Sequence, residues 1–197
     1  MNMEIILSKV KSVLRAGGPA RVLAAAGVAA LVALRCSDAG APPSQGPARA
    51  IASDQELFAL ITVASPFVEY PLFPGVDSVA SGTLNGSGAH QPLVRVSLNT
   101  PALGSLTSDT LQSGTAFARG SVIVKEIREG GVTTLLAVMA KEPGSPEAAG
   151  GWLWAEYKPD GTVVASILAR GAGCVPCHSR EQGPRNDLVR TFERRRP

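Results

Sequence analysis

The chain has 197 residues and a formal net charge of +3, but its basic excess is confined to the first 35 residues. That segment holds five of the 19 basic residues and one of the 16 acidic ones, leaving 14 basic and 15 acidic residues and a net charge of −1. The remainder therefore offers no basic stripe for nucleic acid, and at about 160 residues it suffices for one domain with its own core.

Lys9, Lys11, Arg15 and Arg21 form a positive region ahead of the apolar run VLAAAGVAALVAL at residues 22–34. The run is short for a membrane span and has the length of a signal-peptide core. Residues 1–35 are therefore expected to direct export, giving a periplasmic or exported protein. Cys36 closes the run and precedes SDAGAPPS, which resembles a lipoprotein cleavage site with a tether behind it. Arg35 departs from the small residue usual before a lipidated cysteine, so cleavage near Ala39 or Ala41, or an uncleaved anchor, stay as alternatives to a lipid anchor at Cys36. Residues 36–52 read as a flexible linker rich in Ala, Pro, Ser and Gly, and residues 53–197 as the folded domain.

Ser53 with Glu56 three residues later is a capping-box signal, and Leu57, Phe58, Leu60 and Ile61 follow at helical spacing, predicting a helix over 53–63. Residues 65–91, full of Pro, Gly and Ser, are expected to be irregular. Residues 93–98 form the first predicted strand, followed by a turn or short helix over 99–106. Strands over 121–127 and 133–141 flank Glu129-Gly130-Gly131 as a hairpin. Strands over 152–158 and 162–168 flank Pro159-Asp160-Gly161, a second tight turn. The pattern predicts an α+β fold, predominantly an antiparallel meander with flanking helices. A short helix over 187–193 ends the chain, and Arg194-Arg195-Arg196 reads as a solvated tail.

Alternation places Ile123, Lys125 and Ile127 on one face of their strand. A lysine between two isoleucines either snorkels at a sheet edge, pairs with a carboxylate, or faces a bound group. Leu135, Ala137 and Met139 present an apolar face open enough for a planar cofactor. Trp152 and Trp154 share a face, with core packing as their default role.

Cys174-Val175-Pro176-Cys177-His178 follows the last strand and matches the attachment sequence of a c-type haem. Each thiol can form a thioether to a vinyl group, and the adjacent histidine becomes the proximal iron ligand. A thioredoxin-like pair would instead open a helix in a βαβ unit, a structural disulfide would not need His178, and a zinc knuckle would need a further Cys or His. Export favours the haem reading. The only candidates for a second axial ligand after residue 35 are Met139 and His90, and both have blander roles as a core residue and a loop residue. The iron is therefore expected to keep an open site for a small ligand, while Arg180, Arg185 and Arg190 either pair with haem propionates or are surface charges.

With these pieces in place, the chain resembles the cytochrome P-460 family, which includes the cytochrome c′-beta proteins. The likeness covers residues 55–192: VRVSLNTPAL (94–103), GSVIVKEI (120–127), VMAKEPG (138–144), GWLWAEYKPDG (151–161), CVPCHS (174–179), and Asp187 shortly before Thr191-Phe192. The resemblance implies an antiparallel sheet with flanking helices, a homodimer and one five-coordinate haem c held by Cys174, Cys177 and His178. It also places Lys125 where the cytochrome P-460 branch cross-links a lysine to the haem, in an enzyme that oxidises hydroxylamine and handles nitric oxide. The distal carboxylate of the hydroxylamine-oxidising members falls at Ala137, which has none to accept a proton. Glu126 is expected to point away from Lys125. Phe58, Ala137 and Met139 are the expected distal wall. The function so implied is nitric oxide binding or hydroxylamine or nitric oxide oxidation, the latter with a redox partner protein. The alternative is an electron-transfer cytochrome using Met139 or His90 as second axial ligand.

Overall fold

A computed structural model describes residues 50–84, 87–181 and 186–195. The export segment, Cys36, most of the linker, Arg185 and Arg196 lie outside the described residues. The fold is α+β, built on one six-stranded antiparallel sheet in which every strand pairs with its neighbour in sequence. The strands are β1 (Ala80–Ser81), β2 (Leu93–Leu98), β3 (Val122–Glu129), β4 (Val132–Lys141), β5 (Trp152–Tyr157) and β6 (Val163–Ala165). Among the described residues, no helix is long and apolar enough to cross a membrane.

Period-two alternation gives the sheet two buried faces. Val124, Val138, Leu153 and Tyr157 line one of them and receive Leu57 and Ile61 from α1 (Asp54–Ala59). Leu98, Ile123, Met139, Trp152 and Trp154 line the other, beneath Phe73, Phe117 and Phe192 from loops and the C-terminal segment. Ser53 caps α1, its Oγ accepting the Glu56 N–H at 3.2 Å, while the Glu56 carboxylate accepts the Ala52 N–H at 2.7 Å. Such a cap is worth about 1 kcal/mol. The helix then widens into a π turn over Leu60–Ala64, where the Ser65 N–H reaches the Leu60 carbonyl. Asn99 caps the expected short helix, α2 (Thr100–Gly104), through the Ala102 N–H.

The departures from the sequence reading have local causes. The irregular stretch contains β1, whose two residues pair with Leu93 and Val94. The hairpin turn uses only Gly130-Gly131, both at positive φ, so Arg128 and Glu129 continue β3 past a bulge. β6 ends at Ala165, where the Ser166 hydroxyl accepts the Leu168 N–H and starts the 3-10 turn Ile167–Ala169.

The expected terminal helix begins late, as a 3-10 turn over Arg190–Arg194, because Asp187 and Leu188 are held at φ 56° and 67°. Asp187 is fully engaged there. Its carboxylate takes the Lys141 ammonium at 2.7 Å and the Phe117 N–H at 2.9 Å, and its carbonyl takes the Trp152 indole N–H at 2.9 Å. The Lys141 ammonium also lies 4.8 Å over the Trp152 ring.

With the Lys141 side chain only 7% exposed, Asp187→Ala leaves a buried charge unpartnered. It is expected to lower stability by about 3–5 kcal/mol in chemical denaturation. A loss of about 1 kcal/mol or less, the range for an exposed pair such as Arg170–Glu147, would show that the contact carries little.

Candidate functional site

One cleft gathers most of the residues singled out from the sequence. It encloses about 780 Å³ of non-atom space, the open solvent at its mouth included. Its floor is set by strand register. Val96 pairs with Lys125, Lys125 with Ala137 and Ala137 with Glu156, a single row across four strands. The adjoining row runs Leu98, Ile123, Met139, Trp154. The methyl side chain of Ala137 thus leaves an open place between a lysine and a glutamate.

His90 reaches into the cleft from the loop between β1 and β2. Its Nδ1 lies 3.2 Å from the Lys125 ammonium and its Nε2 3.6 Å from the Glu156 carboxylate. The neutral Nε2–H tautomer serves both contacts, accepting from lysine and facing the carboxylate with its proton. Burial holds His90 below the usual imidazole range, opposed by Glu156. Burial also pushes Lys125 down to about 8, and the positive charge of Arg194 adds to the shift. Among the described residues, no carboxylate forms an ion pair with Lys125. Gly82 permits the loop's path, because a Cβ there would collide with the His90 carbonyl and lie 2.6 Å from the Gln91 Cα.

The opposite wall is α3 (Val175–His178), a single helical turn beginning at Cys174. The His178 N–H bonds to the Cys174 carbonyl at 3.0 Å. Helical spacing brings residues i, i+3 and i+4 to one side, and Cys174, Cys177 and His178 all line the cleft. Gly171, at φ 65°, allows the turn to lie against Trp154, whose Cδ1 would sit 2.6 Å from a Cβ at that position. Both thiols are free. His178 is buried, with its ring 4.7 Å from that of Trp154 and nearly perpendicular to it. Its Nδ1 donates to the Leu188 carbonyl at 2.7 Å, which leaves Nε2 with its lone pair. Burial pushes His178 down to about 4, with Lys125 adding to the effect, so the ring is neutral at neutral pH.

These features bear on the rival readings of the motif. The sheet is wholly antiparallel, with no βαβ unit among the described residues, and burial pushes Cys174 up to about 11, opposite to an activated thioredoxin-like nucleophile. The two cysteines are not joined in a disulfide. Among the described residues, no three His, Cys, Asp or Glu side chains converge as a metal cage, as a zinc knuckle would require. The donor set fits a prosthetic group held by two thiols and one neutral imidazole. The Nε of Arg194, a residue lining the cleft, is buried without a hydrogen-bond partner, which suits an acidic substituent on that group.

Lys125, Ala137, Met139, His90 and Arg190 meet in the cleft with the motif. Phe58 does not: α1 covers the opposite face, where the Phe58 ring lies 5.1 Å from that of Tyr157, tilted by 54°. Glu126 points away from Lys125 and pairs with Arg95 at 2.8 Å and Arg128 at 3.3 Å. The exposed Arg180 donates to the Pro176 carbonyl outside the cleft, whereas Arg190 is buried and donates to the Cys177 sulfur at 3.2 Å. Sequence reading missed Glu156, Arg194 and the Leu188 carbonyl. Glu156 was detectable, since the alternation that unites Trp152 and Trp154 places it on the same face. Compared with known protein families and with curated proteins, the chain matches none.

Gly82→Ala is expected to drive His90 away from Lys125, giving an Nδ1–Nζ separation beyond hydrogen-bond reach in a crystal structure of the variant. Retention of the 3.2 Å contact would refute the packing argument.

Proposed function

We propose that the protein is an exported mono-haem c-type protein, similar to the cytochrome P-460 family, with an open iron site for small nitrogen ligands. The observation that carries this reading is the convergence of two free thiols and a neutral, pre-oriented histidine on one cleft. Haem c, joined through two thioethers, would supply an iron that binds small ligands and exchanges electrons.

The chain's own residues have distinct parts in this reading. Cys174 and Cys177 attach the group, and His178 offers Nε2 while Leu188 fixes its tautomer and orientation. Trp154 restricts the imidazole by edge contact. Ala137 leaves room for a small ligand between Lys125 and Glu156. Lys125 presents a buried amine whose proton is held less tightly than in water, suited to tuning the group or bonding to it. Arg194, whose Nε is buried without a partner, offers a cation for its carboxylates, whereas Arg190 is already paired with Glu193 at 2.7 Å.

The second reading, an electron-transfer cytochrome, needs Met139 or His90 on the iron. Met139 lines the cleft, which favours it, but it also packs in the core with Ile123 and Trp154. Both ring nitrogens of His90 already face partners. This engagement supports an open sixth position. Export rests on residues 1–35 and agrees with attachment of haem c outside the cytoplasm.

The purified protein is expected to carry one covalent haem that is lost in Cys174→Ala/Cys177→Ala. Its reduced absorption spectrum is expected to change on adding nitric oxide. A sharp six-coordinate spectrum indifferent to nitric oxide would instead establish the electron-transfer reading. Peptide mapping reports on Lys125: a free Lys125-containing peptide would rule out its covalent attachment to the haem.

A further inference from the structure

The two thiols of Cys174-Val175-Pro176-Cys177 have unequal surroundings. Arg190, the first residue of the 3-10 turn over Arg190–Arg194, donates from Nη1 to the Cys177 sulfur at 3.2 Å and to the Cys177 carbonyl at 3.3 Å. Among the described residues, no donor faces the Cys174 sulfur in the same way.

The guanidinium is held for that contact. Its Nε and Nη2 fork onto the Glu193 carboxylate at 2.7 and 2.8 Å, and the two side chains are only 3% and 7% exposed. A bidentate fork fixes the plane of the guanidinium, which directs Nη1 at the sulfur. Burying an ion pair costs desolvation that its own attraction repays poorly, and apolar side chains of similar volume would dock the turn as well. They would not supply a cationic donor to a sulfur.

Addition of a thiol to a vinyl group forms one C–S bond, opens the C=C bond and moves the thiol proton to the other vinyl carbon, with no net change in oxidation state. Negative charge builds on sulfur as its S–H bond breaks, and a donor already aimed at that sulfur stabilises it. We propose that Arg190 makes Cys177 the more reactive of the two thiols, so that Cys177 bonds first to an electrophilic carbon, a haem vinyl group in the reading above, and Cys174 second. Once Cys177 is joined, the shared helical turn makes the second addition intramolecular. The order of haem attachment rests on that reading; the inequality of the thiols does not.

The test is timed alkylation of the haem-free full-length chain with iodoacetamide at one neutral pH, read peptide by peptide by mass spectrometry. Cys177 is expected to react faster than Cys174. Arg190→Gln is expected to slow Cys177 by about tenfold while leaving Cys174 within about twofold, the effect of losing a charge-assisted hydrogen bond. Arg190→Lys, which keeps a cation, is expected to recover part of the loss. A residue that only docked the turn would, when replaced, uncover both thiols and speed both reactions. Equal rates for the two thiols, or an Arg190→Gln chain in which Cys177 is not slowed, overturns the inference. In the haem-loaded protein, Cys174→Ala is expected to keep more covalent haem through Cys177 than Cys177→Ala keeps through Cys174, and the reverse overturns the order of attachment. A wild-type chain that carries no covalent haem overturns the haem reading, and the alkylation rates then decide the role of Arg190 by themselves.

Discussion

The buried pair between Lys141 and Asp187 holds the C-terminal segment against the sheet, and the cleft depends on it. Asp187 accepts from Lys141 at the end of β4, from the Phe117 backbone and from the Trp152 indole. That engagement keeps Asp187 and Leu188 in the left-handed region, a conformation that residues other than glycine, and to a lesser extent Asn and Asp, rarely adopt. The Leu188 carbonyl that results is the acceptor for His178. A contact at the rim of the sheet therefore sets the tautomer of a histidine in the cleft, through one intervening peptide unit.

The cleft combines an apolar floor with several ionisable side chains, and burial shifts Lys125, His90 and His178 toward their neutral forms. Lys125 is the clearest instance, being nearly inaccessible and without a carboxylate partner among the described residues. An ammonium in that position is costly to desolvate, which is why its proton is held less tightly than in water. His90 is neutral beside it for the same reason. At about 8 Lys125 still mostly carries its proton at neutral pH, so the pair is an ammonium donor on a neutral imidazole acceptor whose other nitrogen faces Glu156.

Much of the sheet was legible from alternation and turn chemistry, because both act locally. Residues 93–98 were read as a strand and form one, and the faces predicted for Lys125, Met139 and the tryptophans are those they occupy. What was not legible depends on pairing or tertiary contacts. Alternation assigns Glu156 to a face, but only the register shows that it stands opposite Ala137. Phe58 was assigned to the cleft because helical spacing does not say which face of a sheet a helix will cover. Asp187 and Leu188 read as helix from their neighbours, while three partners far away in sequence hold them out of it.

The order of these parts along the chain has a consequence for maturation. The six strands are complete by Ala165 and the thiols follow at 174 and 177, whereas the clamp on His178 and the Arg194 ties to residues 81–83 come last. Those final residues tie the turn at Arg190–Arg194 to residues 81–83, and both Gly82 and Arg194 line the cleft. In the proposed reading, a bulky planar occupant enters most easily before that turn docks. Insertion before docking is thus the order that the proposed reading implies for this topology.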